Sequence, residues 1–557
     1  MKLTILLLSL SFLMTSSCLN SEPGITIIEN VRGYTYFEGE LELFTSLAFR
    51  NGKVIDLAID EPLEIVSQNA RVIDGEGLVM LPGLIDAHAH VMGLGYQQID
   101  IDLSTAGSLE AALDTVSHYA SRYPDRSWVR GRGWNHTRWP GNRFPTAAEL
   151  DEAVGNRPVW LERVDGHAGW ANSRAMELAG VTSETESPED GKIVRDEQGN
   201  PTGIFIDEAM NLVESHIPDR TERERFLALE RAMDQMRRHG LTGVHDAGID
   251  SSTWKLYTQF ADRGDITTRL YAMIGGVGED FEILSENGPI RFYRDDLLAL
   301  RSVKIYADGA LGSRGAALLE DYTDDPGNRG LLFHSEQELT DMIARSVTRG
   351  YQTNVHAIGD RANRVVLNAF ENVKNSLVDQ GLRHRIEHAQ VVSPEDIPRF
   401  KELGIIASMQ PTHATSDMNM AEDRLGADRM EGAYAWQRFL QQCTVVASGS
   451  DFPVEDVNPF YGLHAAVTRQ DHQGNPEGGW YPGQAMTREQ AFRSFTLDAA
   501  YAARQEDRLG SLEPGKHADF ILVDRDYFEI PASEIWEINV LQTWLGGVKV
   551  YDAGAPG

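Results

Sequence analysis

Two histidines one residue apart close an apolar run, Val79–Ala87 leading into Asp86-Ala87-His88-Ala89-His90. Along a strand successive side chains alternate faces, so His88 and His90 point the same way, their Cα atoms about 6–7 Å apart. Two imidazoles so placed are half of a tetrahedral metal site. Four more ligand-type residues stand at or just beyond the ends of apolar runs. Lys304 lies in Ser302-Val303-Lys304-Ile305-Tyr306-Ala307-Asp308-Gly309, His356 ends Thr353-Asn354-Val355-His356, His388 ends Arg385-Ile386-Glu387-His388, and Asp451 follows Val445–Ser450. A lysine among Val and Ile is driven by desolvation toward its neutral amine. A neutral amine can take up carbon dioxide to become a carbamate, an oxygen ligand able to bridge two cations. Singly, each residue has an ordinary structural reading: Lys304 paired with Asp308, a capping Asp451, a histidine bonded to backbone. Six together at strand ends are hard to assign to packing.

The elements that must position them read as strands alternating with amphipathic helices. Eight apolar runs qualify as buried parallel strands: Val79–Ala87, Val159–Val164, Gly243–Asp246, Ser302–Tyr306, Gln352–Val355, Arg385–Glu387, Ile405–Met409 and Val445–Ser448. Helical segments such as Glu222–His239, Glu336–Arg349 and Arg361–Gln380 lie between them. This pattern predicts an α/β fold with a (β/α)8 barrel over 81–504, whose active site would lie where the strands end. The stretch between the first two runs is longer than a crossover needs and holds five of the ten tryptophans, Trp128 to Trp170. We read it as an inserted cap, about 104–156, although tryptophans also simply fill subsidiary cores. Short alternating runs from Ile25 to Met80, and strand-like Asp519–Val523 and Val548–Tyr551, predict a small β-sandwich built from both chain ends, 25–80 plus 505–557.

Composition narrows the function classes. The 557 residues carry 51 Lys+Arg against 84 Asp+Glu, a formal charge of −33, which disfavours nucleic acid as a partner. At the start, Lys2, an apolar run to Met14, the small residues Thr15 to Ser17 and then Cys18 resemble a bacterial lipoprotein signal. The expectation is a signal peptide over 1–18, export, and a lipid anchor on Cys18; an ordinary cleaved signal is the alternative. The other cysteine, Cys443, then has no partner for a disulfide and is expected as a buried small hydrophobe.

The segment Pro82-Gly83-Leu84-Ile85-Asp86-Ala87-His88-Ala89-His90, with Lys304, His356, His388 and Asp451, resembles the amidohydrolase superfamily. More narrowly, Gly133-Trp134-Asn135, Asp165-Gly166-His167, Lys304–Gly309, His356–Arg361, Ser448–Pro453 and Gly510–Asp519 are similar to amidohydrolase family 3, the branch containing N-substituted formamide deformylase. No metal position departs from that pattern; the lipoprotein-like leader does. The resemblance implies His88 and His90 on one ion, His356 and His388 on another, an N6-carboxylated Lys304 bridging them, and Asp451 on the first. Zinc is the default divalent metal, with one or two ions. It further implies cleavage of a non-peptide C–N bond, amide or N-formyl, in a small-molecule substrate by metal-activated hydroxide, with Asp451 relaying the proton. His167 would donate to the carbonyl or bind substrate, unless it is a structural bond from cap to barrel. Trp134 and His136 are equally open; Asp308, Arg314, Gln410 and His413 are substrate-side candidates, and His245 and Asp246 supporting ones. Two alternatives compete. A mononuclear aminohydrolase on a heterocycle would place Glu three residues after His356, where Gly359 stands. A surface binding protein on an inactive scaffold should have lost ligands, and none is lost. A homodimer is the default assembly.

Overall fold

The computed structural model describes residues 24–59, 63, 70–136, 139–164, 166, 168–188, 191–376 and 381–555. The leader with Cys18, and His167, lie outside the described residues.

Eight parallel strands follow one another around a nearly closed barrel: Leu84–Ala89, Leu241–Ile249, Arg269–Gly275, Leu298–Tyr306, Gln352–Ala357, Arg385–His388, Ile406–Met409 and Val446–Ser448. Nearly every residue in them is buried, as strands covered by helices on one side and filled by side chains on the other must be. The covering helices start where the sequence supplies caps. Thr221 with Glu224 and Ser335 with Glu338 form capping boxes at the heads of Glu222–Arg238 and Glu336–Thr348. The eighth strand closes onto the first just beyond its end, where Asp451 N donates to His88 O at 2.7 Å and His90 N to Phe452 O at 2.8 Å. Gly449 makes the approach feasible, because a Cβ there would lie 2.5 Å from both Asp86 Oδ1 and His88 N.

Two strand expectations are corrected. The second barrel strand is Leu241–Ile249, and Arg269–Gly275 is the third; Val159–Arg163 belongs to a different sheet. That sheet has six strands, in the order Gly191–Arg195, Pro201–Asp207, Ala168–Ala171, Val159–Arg163, Val129–Trp134, Ile101–Asp102. The insertion therefore extends well past the expected 104–156. A short buried apolar run carries no mark of which sheet will hold it. The five tryptophans fill the insertion's two cores: Trp134, Trp139 and Trp170 pack in one, Trp128 and Trp160 in the other. The indole N–H of Trp134 goes to Leu161 O, so this side chain is structural.

Both chain ends contribute to a sandwich. One sheet joins Lys53–Leu57, Leu47–Arg50, Thr26–Glu29 and Arg71–Asp74; the other joins Val548–Asp552, Val540–Leu545, Phe520–Val523, Val79–Pro82, Arg32–Phe37 and Glu40–Phe44. Ile28, Leu47, Phe49, Met80, Phe520 and Trp544 pack between them. The sandwich is fastened to the foot of the barrel by Arg269, at the start of the third strand, which donates to both oxygens of Asp519 at 2.6 and 2.9 Å. Cys443 departs from expectation: it is exposed, at φ +59° just after the helix Trp436–Gln441, where the chain reverses and turns its side chain outward.

Candidate metal centre and its cleft

His88 ends in the middle of a buried web. Its Nδ1 is 2.5 Å from Glu387 Oε2, which fixes the ring and leaves Nε2 facing the barrel mouth, 3.4 Å from Lys304 Nζ and 3.5 Å from Asp451 Oδ1. His90 heads the helix Val91–Ile99, and its Nε2 reaches the same Asp451 oxygen at 3.1 Å. Asp246, on the second strand, accepts from Val91 N at 2.9 Å and so holds that turn. His388 sits with its ring centroid 4.8 Å from that of His88 and 4.5 Å from that of His356, while its Nδ1 is 2.8 Å from Gln410 Oε1. His388 and Asp451 both adopt positive φ, +73° and +64°. For residues other than glycine such backbone costs about 1–3 kcal/mol each and persists where surroundings impose it, typically at functional sites.

The ligand-type atoms of His88, His388 and Asp451 lie within 4.8 Å of one another. His90, Lys304, His356, His388 and Asp451 all line one cleft of about 500 Å³ at the C-terminal ends of the barrel strands, with His88 beneath it. The structure thus brings together the six residues singled out in the sequence.

Electrostatics favour the neutral form of His88 and His388. Burial, reinforced by the Lys304 charge, pushes His88 down to about 4. Burial and the neighbouring His356 and His88 hold His388 well below the ordinary histidine value. Burial opposes ionisation of Asp451, but the His90 hydrogen bond and the neighbouring His88 and His388 outweigh it and hold the carboxyl well below the usual range. Neutral imidazole and ionised carboxylate are the ligand forms a divalent cation requires. Among the described residues His356 Nε2 is buried without a hydrogen bond, its closest acid being Asp308 Oδ1 at 3.4 Å. These donors fit a metal: nitrogen and oxygen, converging, with one orphaned imidazole nitrogen among them.

Other candidates sort differently. Asp308 is pinned by three backbone N–H groups, of Ile358, Gly359 and Ala317 at 2.8–3.0 Å, so it neither pairs with Lys304 nor faces substrate. Arg314 is tied to Asp324 away from the centre. Gln410 orients His388, and His245 meets Arg385 at 3.0 Å. His413 does enter the cleft, stacked on His388 at 5.9 Å with Nε2 3.7 Å from Asp451 Oδ2.

Sequence reasoning missed Arg385 and Glu387. Both are fully buried and paired at 2.8 Å, and Arg385 also donates to Ser408 Oγ at 2.8 Å and to Ala87 O. Burial alone would raise the Glu387 carboxyl, yet Arg385 and His88 hold it well below the usual range. The available signal was two opposite charges alternating on one face of a four-residue buried strand.

A parallel barrel with imidazoles, a buried lysine and an acid gathered at its mouth defines the class of metal-dependent barrel hydrolases. The chain belongs to the amidohydrolase family, whose model matches residues 71–551. It is 33% identical to Protein LONG AFTER FAR-RED 3 of Arabidopsis thaliana, over 96% of this chain and 94% of that one. It is 30% identical to N-substituted formamide deformylase of Arthrobacter pascens, over 87% and 90%. Among solved structures it superposes on an uncharacterized metal-dependent hydrolase from Pyrococcus horikoshii with a TM-score of 0.77 at 26% identity, covering 91% of this chain and 99% of that one.

Proposed function

We propose that this protein hydrolyses a non-peptide C–N bond, amide or N-formyl, in a small molecule. The observation that carries the reading is the convergence of His88, His90, Lys304, His356, His388 and Asp451 on one cleft. His88, His90 and Asp451 would hold one divalent ion and His356 and His388 a second, with N6-carboxylated Lys304 between them and zinc as the expected metal. Bound there, such ions supply Lewis acidity, lowering the pKa of water and polarising a carbonyl. The chain's own residues do the rest. Glu387 orients His88, Gln410 orients His388, and Asp451 takes a proton from the attacking water and passes it to the leaving nitrogen, releasing a carboxylic acid and an amine. The likeness to an enzyme named N-substituted formamide deformylase favours formamides as first substrates. A deaminase reading is disfavoured, because a Cβ at Gly359 would lie 2.0 Å from Ala317 O and a glutamate there has no room.

The test is turnover of N-substituted formamides and N-acyl amines by zinc-loaded protein, with loss of turnover on chelation and recovery on zinc addition. Turnover that survives chelation would contradict the reading. We also propose export with lipidation of Cys18; a mature N-terminus without diacylglyceryl, by mass spectrometry, would refute the anchor. Among the described residues no helix is long and apolar enough to cross a membrane.

A further inference from the structure

The wall of the cleft beyond the histidines has a different character. The short helix Pro411–Asp417 presents His413 and, one turn on, Asp417, and the loop after the eighth strand brings Glu455 to the same cleft. Asp417 Oδ2 accepts from Gln390 Nε2 at 3.0 Å and from Tyr434 OH at 2.7 Å, and Glu455 Oε1 accepts from Ser416 Oγ. All three donors are uncharged. Among the described residues no donor reaches the second oxygen of either carboxylate, and no lysine or arginine pairs with them; His413 is the basic group beside both.

The wall is firmly built. Tyr434 is fully buried at φ +49°, and its carbonyl takes Arg469 NH1 at 3.1 Å; that buried guanidinium lies over the Trp436 ring at 4.4 Å. Two acids half-buried in a concave site without a cation are incompletely compensated. Their carboxyls are accordingly pushed up, mainly by burial, and in Glu455 also by Asp417 and Asp451.

We propose that Asp417 and Glu455 form the recognition end of the cleft, binding an ammonium group that the substrate carries on the far side of its scissile C–N bond. This rests on the hydrolase reading above and narrows its substrate class to amides or formamides of diamines and similar cationic amines. It assigns the two acids to specificity and Tyr434 to positioning Asp417.

The experiment pairs mono-N-formyl diamines of two to six methylenes with N-formyl alkylamines of matching length, in which methyl replaces the ammonium. With zinc-loaded full-length protein, the best-fitting cationic member is expected to exceed its neutral match at least tenfold in kcat/KM, chiefly through KM. Glu455→Gln and Asp417→Asn should bring the ratio toward one. Equal kcat/KM for every matched pair in the wild type overturns the proposal. Should Asp417→Asn fail to fold, Glu455→Gln carries the test alone. If neither series is turned over, the formamide reading falls, and calorimetric titration with 1,4-diaminobutane decides this proposal independently. Binding to wild type that weakens tenfold or more in Glu455→Gln upholds it; no binding, or binding indifferent to that change, overturns it.

Discussion

Arg269 and Asp519, buried where the sandwich meets the foot of the barrel, exchange two hydrogen bonds, and Asp296 beside them accepts from His517 and Arg508. At the opposite end of the same strands, the Nε2 atoms of His356 and His413 are buried without hydrogen bonds among the described residues, and Lys304 has a histidine and the face of Tyr306 for company. Both ends bury charge-bearing side chains. At the foot Arg269, Asp519 and Asp296 find their partners within the fold, whereas the mouth leaves its inventory open toward a cleft. Buried polar groups are almost always satisfied, so a group of unsatisfied ones at one place points to something the protein binds. The layer just below the mouth shows how that openness is held still: Arg385 is ion-paired with Glu387 at 2.8 Å, and Glu387 grips His88 from behind.

The contrast can be broken by experiment. Asp451→Asn should lower kcat about 100- to 10,000-fold, the range for loss of a proton-transferring group, while the melting temperature stays level or rises; a large loss of stability with activity retained would reverse the two roles. Arg269→Ala should do the opposite, destabilising by about 3–5 kcal/mol in urea unfolding through the stranded Asp519 and leaving kcat per folded molecule unchanged. Glu387→Gln lies between. It should lower metal affinity or activity about 10- to 100-fold, measured by competitive chelation and initial rates.

The two ends should also separate in pH. His88 has its folded pKa depressed to about 4 from 6.5, so in metal-free protein its contribution is present above pH 6.5 and is lost as pH falls toward 4. Asp296, held down to about 2 from 3.8 because His517 and Arg508 outweigh its burial, contributes above pH 3.8 and fails as pH drops toward 2. Urea midpoints against pH should therefore fall in two windows, the first made shallower by His88→Asn and the second by Asp296→Asn. A single window untouched by His88→Asn would contradict the assignment.

The mouth was legible in sequence because ligand residues are chemically conspicuous against apolar strands; His88, His90, Lys304, His356, His388 and Asp451 stand out by type and spacing alone. The supporting pairs were not. Glu387 adjoins His388 in sequence, but its partner His88 is 299 positions away, and only the barrel brings them together. Strand assignment failed where nothing conspicuous marked the run. Val159–Arg163 is as apolar as a barrel strand, and Arg269–Gly275 opens with an arginine whose burial makes sense only once Asp519 is beside it. Cys443 was misjudged because the turn that exposes it depends on a positive φ that composition does not announce.

Six side chains from the ends of five strands hold metal at the barrel mouth: that is the central claim. It is tested most directly by a crystal structure of zinc-loaded protein with anomalous scattering measured at the zinc edge. Zinc is expected within about 2.0–2.2 Å of His88, His90, His356, His388 and Asp451, with a carboxylated Lys304 bridging where two ions are bound. Zinc found elsewhere on the molecule, or a loaded protein whose mouth shows no anomalous peak beside an unmodified Lys304, would contradict it.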